Sequence, residues 1–477
     1  MAVKRIGIAL PVLGISGGIN IVLNWGAILA RAGYRVELIL PASATDAEIP
    51  FLPERDCRLL HVVALPEARR RRYHAAVATW WATIPWLADL EADHYAWFMQ
   101  AVEGQFFGPH TPEQADFAEL VSARMNVITT AHWLQRHVER HLSPEPRQTF
   151  CVVSGLDKEL WRPMSREPLR PGGRPVRFLV EGPPTDPRKN VVQTVRMLEG
   201  LGLTYSWVGA IVDPDAVGPR CRRIEAKVPY RWMPSVYADS DVLVKASNSE
   251  GMFGPPLEMF ATGGTSVSWD VQGAEEYMAD RHNCRLTPMN SWPKLAEAAL
   301  ELAENPGLVR SLQERALATA EAWPTWEDQA DQILHTIESL APCDRSSLVR
   351  RVARTTFRGD AALDEARRRM AWLESEVARR DAQIAGLWAE ADARGRAIEA
   401  LQARLEANPL RRAARLVRRP ARALLDAARP WIGRRALASY RDQIARAFRP
   451  KDQPLPAPEG TVAAALPAPA GEDRLAA

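Results

Sequence analysis

Short apolar segments alternate with longer amphipathic segments from residue 4 to about residue 340, and this alternation constrains the fold more than any other feature of the chain. The short segments are rich in β-branched and aromatic residues and are bounded by turn residues, as strands are. They cover residues 5–10, 34–40, 75–80, 95–99, 126–130, 150–153, 176–181, 204–208, 223–228, 242–245, 265–269 and 284–287. Strands that alternate with helices predict parallel, doubly wound α/β sheets, because parallel strands need crossover connections.

The longer segments predict the helices between these strands. Among them are residues 19–32, 133–141, 190–201, 255–262 and 292–303. A Pro- and Gly-rich break over residues 162–175 separates two units of the same kind. We therefore expect one domain over residues 1–162 and a second over residues 163–342.

Composition excludes several other classes of protein. With 47% hydrophobic and 25% charged residues, the 477-residue chain has an ordinary globular composition. Its five cysteines are too few and too scattered to predict a disulfide framework or a zinc site. No apolar run approaches the ~20 residues of a membrane span, and the first ten residues do not look like a secretory signal. We expect a cytoplasmic protein.

The sequence beyond residue 360 changes character. One heptad frame places apolar residues at its two seam positions over residues 360–406, which favours a coiled coil. These residues are Leu363, Met370, Leu373, Val377, Ile384, Leu387, Ala391, Ile398, Leu401 and Leu405. Arg380 and Arg394 lie on the same seam and would destabilise a coiled coil, so a solvated single helix is the alternative interpretation. A paired helix predicts a homodimer or contact with a partner enzyme.

A basic amphipathic segment follows over residues 409–451. It holds thirteen Lys and Arg against two Asp, although the whole chain carries only +3. Interleaved Arg and apolar residues favour an anionic membrane surface; a solvated or protein-contacting segment is the alternative, and nucleic acid is disfavoured. The Ala- and Pro-rich residues 452–477 predict a disordered tail.

Two loops are candidates for binding a ligand. The first, LGISGGIN, brings Gly17 and Gly18 to the start of a helix, where backbone N–H groups attract anions. Because its spacing is not GxGxxG, a tight structural turn without a ligand is an alternative interpretation of this loop. The second is EGMFGPPLEMFATGG, where Glu250 lies in the loop and Glu258 lies one turn into the next helix. Both carboxylates can face one ligand over the helix N-terminus. Either glutamate alone would instead fit a helix-dipole or surface role.

The second loop, followed by GAEEY, resembles the signature of family-4 retaining glycosyltransferases of the GT-B fold. The segments SGGINIVLNWGAILARAGYRVELI and VVSGLDKELWRP are similar to other parts of that family, with Ser154 in place of the usual Asn. The similarity covers residues 4 to 340. The segments ATWWATIPWLADL and HYAWFMQAVEGQFF resemble bacterial rhamnosyltransferase-like members that act on surface polysaccharides.

The resemblance implies two Rossmann-like domains that face a cleft, with the donor in the second domain. It implies that Glu250 contacts the donor sugar and Glu258 the nucleotide ribose. Lys189, with Arg188 beside it, would neutralise the diphosphate, although Pro183 stands where many members carry arginine. Gly254, Pro255 and Pro256 would place backbone N–H groups and shape near the donor. Gly17 and Gly18 would line the cleft opposite them.

The same resemblance implies the substrates and the cofactor requirement. A nucleotide sugar would donate a hexose or deoxyhexose to a glycan or lipid-linked glycan acceptor, at the cytoplasmic face of the membrane. No cofactor and no metal are expected, because lysine can supply the positive charge. Asp239 and Asp241 form the DxD match that we weighed, and their context indicates a structural turn.

The sequence does not decide which of several residues is the acceptor base. Glu103, just past the carboxyl end of the 95–99 strand, is our candidate, with Gln100 near it. His94 lies at the wrong end of that strand for a cleft at the carboxyl edge. His132 opens a helix and fits a packing role. Two other functions stay open: a GT-B epimerase, hydrolase or phosphorylase, and a non-catalytic scaffold for a polysaccharide-assembly complex.

Overall fold

The computed structural model describes residues 3–14, 16–42, 49–107, 110–142, 145–170 and 172–355. The two α/β domains belong to one compact unit within Met1–Asp364. The expected coiled coil, basic segment and tail lie outside the described residues.

The first domain is built on a parallel sheet of seven strands in the order β3-β2-β1-β4-β5-β6-β7. The strands are β1 (Arg5–Ala9), β2 (Arg35–Leu40), β3 (Leu60–Ala64), β4 (Arg72–Ala78), β5 (Glu91–Met99), β6 (Asn126–Thr129) and β7 (Thr149–Cys151). Apolar clusters cover both faces of this sheet. The sequence predicted all of these strands except β3.

The second domain has a parallel sheet of six strands in the order β10-β9-β8-β11-β12-β13. The strands are β8 (Phe178–Glu181), β9 (Tyr205–Gly209), β10 (Cys221–Ala226), β11 (Val242–Lys245), β12 (Thr265–Trp269) and β13 (Arg285–Thr287). Each corresponds to a predicted strand, and apolar clusters again cover both faces. The prediction of two Rossmann-like domains is confirmed.

Helices connect the strands and form the outer layers. They are α1 (Gly17–Arg31), α2 (Glu54–Cys57), α3 (Leu65–Ala68), α4 (Ile84–Asp89), α5 (Pro112–Val121), α6 (His132–His141), α7 (Val191–Gly200), α8 (Met233–Ala238), α9 (Gly254–Ala261), α10 (Trp292–Glu304), α11 (Pro306–Ala322), α12 (Ala330–Glu338) and α13 (Arg345–Val352). The start of α1 is fixed by its N-cap, where the Ser16 hydroxyl accepts a 3.2 Å hydrogen bond from the backbone N–H of Ile19.

The last two helices return to the first domain. Ile333 and Ile337 on α12 are buried in the apolar cluster on one face of the seven-stranded sheet. Leu348 on α13 is buried in the cluster on its other face. The sequence assigned residues up to 342 to the second domain, because an amphipathic helix does not reveal which sheet it covers.

Candidate active site

A cleft of about 650 Å³ lies between the two domains. Segments that follow β1, β4 and β5 form one wall, and segments that follow β8, β9 and β11 form the other. Doubly wound folds bind ligands at the carboxyl ends of their strands. All of the site residues predicted from the sequence line this cleft: Gly17, Gly18, Glu103, Arg188, Lys189, Glu250, Gly254, Pro255 and Glu258.

Lys189 and Glu250 form an ion pair in the wall contributed by the second domain. The Lys189 ammonium lies 2.7 Å from each carboxylate oxygen of Glu250. Two hydrogen bonds hold their loops together: the backbone N–H of Asn248 donates to the Arg188 carbonyl at 2.9 Å, and the Asn190 amide donates to the Ala246 carbonyl at 2.8 Å. The structure thus brings the predicted ammonium directly against the predicted carboxylate.

A second lysine, which the sequence analysis missed, lies behind this pair. Lys245 ends β11 and is only 2% exposed. Its ammonium lies 2.7 Å from the carboxylate of Glu181, at the end of β8, and 3.1 Å from the Glu181 carbonyl oxygen. Glu181 lines the cleft. Charges therefore alternate in the order Glu181, Lys245, Glu250 and Lys189.

The two glutamates predicted to hold the donor differ in their ionisation. Burial alone would raise the pKa of Glu250, but the ammonium groups of Lys189 and Lys245 outweigh it and hold that pKa below its ordinary value. For Glu258, burial and the nearby negative charge of Glu181 raise the pKa to about 8. At neutral pH Glu250 is therefore a carboxylate, whereas Glu258 is largely a carboxylic acid.

Arg188 lines the cleft, but most of its hydrogen-bonding capacity is used within the protein. Its guanidinium binds Asp186 through two hydrogen bonds of 2.9 and 2.8 Å. The guanidinium carbon also lies 3.8 Å from the centre of the Phe106 ring, which belongs to the first domain. Arg188 therefore joins the two walls through a cation–π contact.

Gly254 and Pro255 do not supply the backbone N–H groups expected from the sequence. Helix α9 begins at Gly254, whose N–H donates to the Met252 carbonyl at 2.9 Å. Pro255 and Pro256 have no backbone N–H. Pro255 therefore cannot supply the expected N–H group. Gly254 and Pro255 both line the cleft, and their expected contribution to the shape of the donor site stays a prediction.

The first domain contributes glycines and an uncharged buried acid. A Cβ at Gly18 would lie 2.7 Å from the Gln100 side-chain oxygen, so a larger residue there would require the Gln100 side chain to shift. Glu103 is 1% exposed and accepts a 2.6 Å hydrogen bond from the backbone N–H of Trp81. Burial raises the pKa of Glu103 to about 8. The Trp97 indole N–H faces the same carboxyl outside hydrogen-bonding geometry and offsets part of that rise.

Tyr230, also missed from the sequence, connects three parts of the cleft. Its hydroxyl oxygen accepts hydrogen bonds from the Asn20 amide at 3.1 Å and from the Trp161 indole at 2.9 Å. Asn20 lies on α1 of the first domain, whereas Trp161 precedes the second domain. Burial raises the pKa of Tyr230 well above its ordinary value, so the phenol stays protonated.

Three residues that the sequence analysis weighed as weaker candidates lie elsewhere. His94 packs edge-to-face on His74, with ring centres 5.0 Å apart. His132 Nδ1 lies 2.9 Å from a carboxylate oxygen of Glu276. Asp241 is bound by the Arg174 guanidinium at 2.6 and 2.9 Å. These contacts fit structural roles.

Two searches of the described residues were negative. No group of three or more His, Cys, Asp or Glu in this part of the chain is arranged to hold a metal ion. None of the helices there has the length and apolarity needed to cross a membrane.

Comparison with known proteins gives one family match and many structural matches. Residues 216–305 match the family described as glycosyl transferases group 1. A search of curated proteins gives no significant sequence match. Sucrose-phosphate synthase from Thermosynechococcus elongatus is 16% identical, with a TM-score of 0.58, over 70% of this chain and 98% of its own.

Two other solved structures are similar over the same part of the chain. Anabaena HepE in complex with UDP and glucose is 14% identical, with a TM-score of 0.56, over 71% of this chain and 100% of its own. A glycosyltransferase from Rickettsia africae is 12% identical, with a TM-score of 0.53, over 71% of this chain and 98% of its own. The chain therefore has the GT-B fold, and residues 216–305 of its second domain match the glycosyl transferases group 1 family.

Proposed function

We propose that this protein is a metal-independent, retaining glycosyltransferase. It moves a hexose or deoxyhexose from a nucleotide sugar to a glycan or lipid-linked glycan in bacterial surface polysaccharide synthesis. The observation that carries the proposal is the ion pair of Lys189 and Glu250 in a cleft that Glu258 also lines. The family match over residues 216–305, which includes both glutamates, supports the same activity.

The reaction requires stabilisation of a departing nucleoside diphosphate. Negative charge develops on the diphosphate as the bond to the anomeric carbon breaks, and a preorganised positive group lowers the barrier. Lys189 is the residue assigned to this role, since its ammonium lies in the cleft wall. Glu250 holds Lys189 in place and accepts hydrogen bonds from the donor sugar. HepE, which shares the fold, was solved with UDP and glucose, and this supports a nucleotide-sugar donor.

Glu258 is assigned to the nucleotide ribose. Because its pKa lies near 8, its carboxyl group is largely protonated at neutral pH and can both donate and accept hydrogen bonds. Glu103 is the proposed acid–base residue of the acceptor side. The roles of Lys189, Glu250 and Glu258 and the retaining outcome come from the family resemblance, whereas the charge states of the three glutamates come from the site itself.

The segments beyond residue 355 carry a separate part of the proposal. Their heptads and basic residues motivate a dimer or a complex with a partner enzyme, held at the inner face of the membrane. Removal of residues 409–451 should release the protein from vesicles that contain anionic lipid while donor binding persists. Equal vesicle binding with and without the segment would contradict this part.

Thermal unfolding with a panel of UDP-, GDP- and dTDP-sugars tests the catalytic proposal. A ligand that binds the folded state stabilises it by about 2.7 kcal/mol at a concentration of a hundred times its Kd. One donor class should raise the midpoint, and Lys189→Ala and Glu250→Ala should each slow transfer by about 10²–10³-fold. If no nucleotide sugar binds, or if both variants still complement a deletion strain, the protein is not the enzyme proposed here.

A further inference from the structure

The two walls of the cleft differ in charge. The wall from the second domain includes Arg188, Lys189 and Lys227. The opposite wall, from the first domain, contains no Lys, Arg or His among the described residues that line the cleft. The residues of 1–162 that the structure does not describe contain no Lys, Arg or His in their sequence either. We call this first-domain surface, formed by Trp80, Gln100, Glu103 and Phe106, the acceptor wall.

Aromatic rings give the acceptor wall a fixed apolar surface. Trp80 stacks on Phe106 with ring centres 5.6 Å apart and an angle of 22° between the planes. The Arg188 guanidinium lies over the Phe106 ring, so Phe106 is held by contacts with both neighbours. Trp80 is half-buried and lines the cleft. A sugar ring can place its C–H face against such an indole.

One polar atom of the acceptor wall lacks a partner. Oε1 of Gln100 is buried and accepts no hydrogen bond from the described residues, whereas the Glu103 carboxyl faces the Trp97 indole N–H. Buried polar atoms are nearly always paired in folded proteins, so the unpaired Gln100 oxygen is suited to a ligand that supplies the partner. The Gln100 oxygen accepts a hydrogen bond and therefore suits a hydroxyl group. The Glu103 carboxyl, with its pKa near 8, adds little charge at neutral pH.

We infer that the acceptor group entering this wall is an uncharged sugar ring, stacked on Trp80 with its hydroxyl groups toward Gln100 and Glu103. The protein would therefore extend an existing glycan and would not glycosylate a lipid phosphate. This inference rests on the proposed function. The acceptor wall itself offers a phosphate no cation, and the Arg188 guanidinium that lies over Phe106 is already bound to Asp186. A phosphate there would lose its hydration with little compensation, which is costly.

The transfer step balances without another reactant. The acceptor hydroxyl oxygen forms a bond to the anomeric carbon, and the bond from that carbon to the diphosphate oxygen breaks. The nucleoside diphosphate leaves with the electron pair, and the hydroxyl proton passes to the ionised form of Glu103, the proposed acid–base residue. The acceptor needs only a free hydroxyl group.

Acceptor competition tests the inference. With the full chain and the donor found by thermal unfolding, octyl glucoside, octyl galactoside and octyl rhamnoside are compared with farnesyl phosphate, by nucleoside diphosphate release and product mass. At least one neutral glycoside should be glycosylated and farnesyl phosphate should not. Preferential use of farnesyl phosphate, or donor turnover with none of the glycosides accepted, overturns the inference but leaves the proposed function standing. Failure of every donor to bind or turn over overturns both.

Variants of Trp80 test whether the acceptor sugar stacks on this side chain. Trp80→Ala should raise the KM for the glycoside about tenfold, as expected for loss of an aromatic stack. The thermal shift caused by the donor should persist, which shows that the variant is folded. Trp80→Phe should retain most of the affinity for the glycoside. Trp232→Ala removes a 56% exposed indole outside the cleft lining and should change neither the KM for the glycoside nor the thermal shift caused by the donor. An unchanged KM in Trp80→Ala contradicts the stacking role.

Discussion

The indole N–H of Trp133 donates a 2.7 Å hydrogen bond to the carbonyl oxygen of Gly251 across the boundary between the two domains. Trp133 lies in the first turn of α6, and its backbone N–H donates to Glu276 of the second domain at 2.8 Å. Gly251 directly follows Glu250. The first domain therefore holds the loop that carries the proposed donor-binding carboxylate, and the approach of the domains is coupled to the position of Glu250.

Trp133→Phe should slow glycosyl transfer about tenfold while the protein stays folded. The variant keeps a ring but leaves the Gly251 carbonyl unpaired, which costs about 1–3 kcal/mol, and ~1.4 kcal/mol corresponds to a tenfold change in rate. Steady-state kinetics with saturating donor would measure the loss. Trp232→Phe, at an exposed indole, is the control. A wild-type rate in Trp133→Phe would mean that the hydrogen bond does not position the loop.

Gly251→Ala should impair turnover more severely, because a Cβ there would lie 1.6 Å from the backbone oxygen of Gln100. The loop must then move, and a displacement of about 1 Å can cost about 10²-fold in rate. Gly200→Ala is the matched control, because a Cβ at Gly200 meets nothing within 4 Å. Both variants are compared by turnover and by thermal midpoint. Similar kinetics in the two would refute the close interdomain contact at Gly251.

Most of the fold follows from the alternation of strands and helices, but one strand does not. β3 is an edge strand of only five residues, LHVVA, which is too short for its apolar residues to establish a period. The sequence also did not predict which sheet α12 packs against. Ile333 and Ile337 mark an apolar helix face, but only the three-dimensional structure shows that this face covers the first sheet.

The candidate site was predictable where a local motif carries it. Glu250, Glu258 and Lys189 lie in short loops with a recognisable pattern, and all three line the cleft. Lys245 and Glu181 are 64 residues apart, and they meet because β8 and β11 pair in parallel with Val180 opposite Val244. Such a contact depends on strand order and register, which no local pattern in this sequence specifies.

Lys189→Met should move the acidic limb of the pH–rate profile to higher pH. Lys189 is the larger of the two ammonium influences that lower the pKa of Glu250, so its removal raises that pKa. If turnover requires the Glu250 carboxylate, activity is then lost at a higher pH as the solution is acidified. Lys189→Arg keeps the positive charge and should keep the limb near that of the wild type. Superimposable acidic limbs in Lys189→Met and wild type would exclude this electrostatic role.

Glu103 should make the folded state less stable at alkaline pH. Burial raises its pKa from 4.5 to about 8, so the acid form is favoured in the folded protein. The stabilisation is fully present below pH 4.5 and is lost as the pH rises through about 8, because the unfolded chain ionises first. Glu103→Gln cannot ionise and should lose less stability between about pH 5 and about pH 9 than the wild type. Urea unfolding at the two pH values measures the difference, with Glu304→Gln as an exposed control. An equal loss in Glu103→Gln and wild type would show that Glu103 is already ionised in the folded protein, and the acceptor wall would then carry a negative charge.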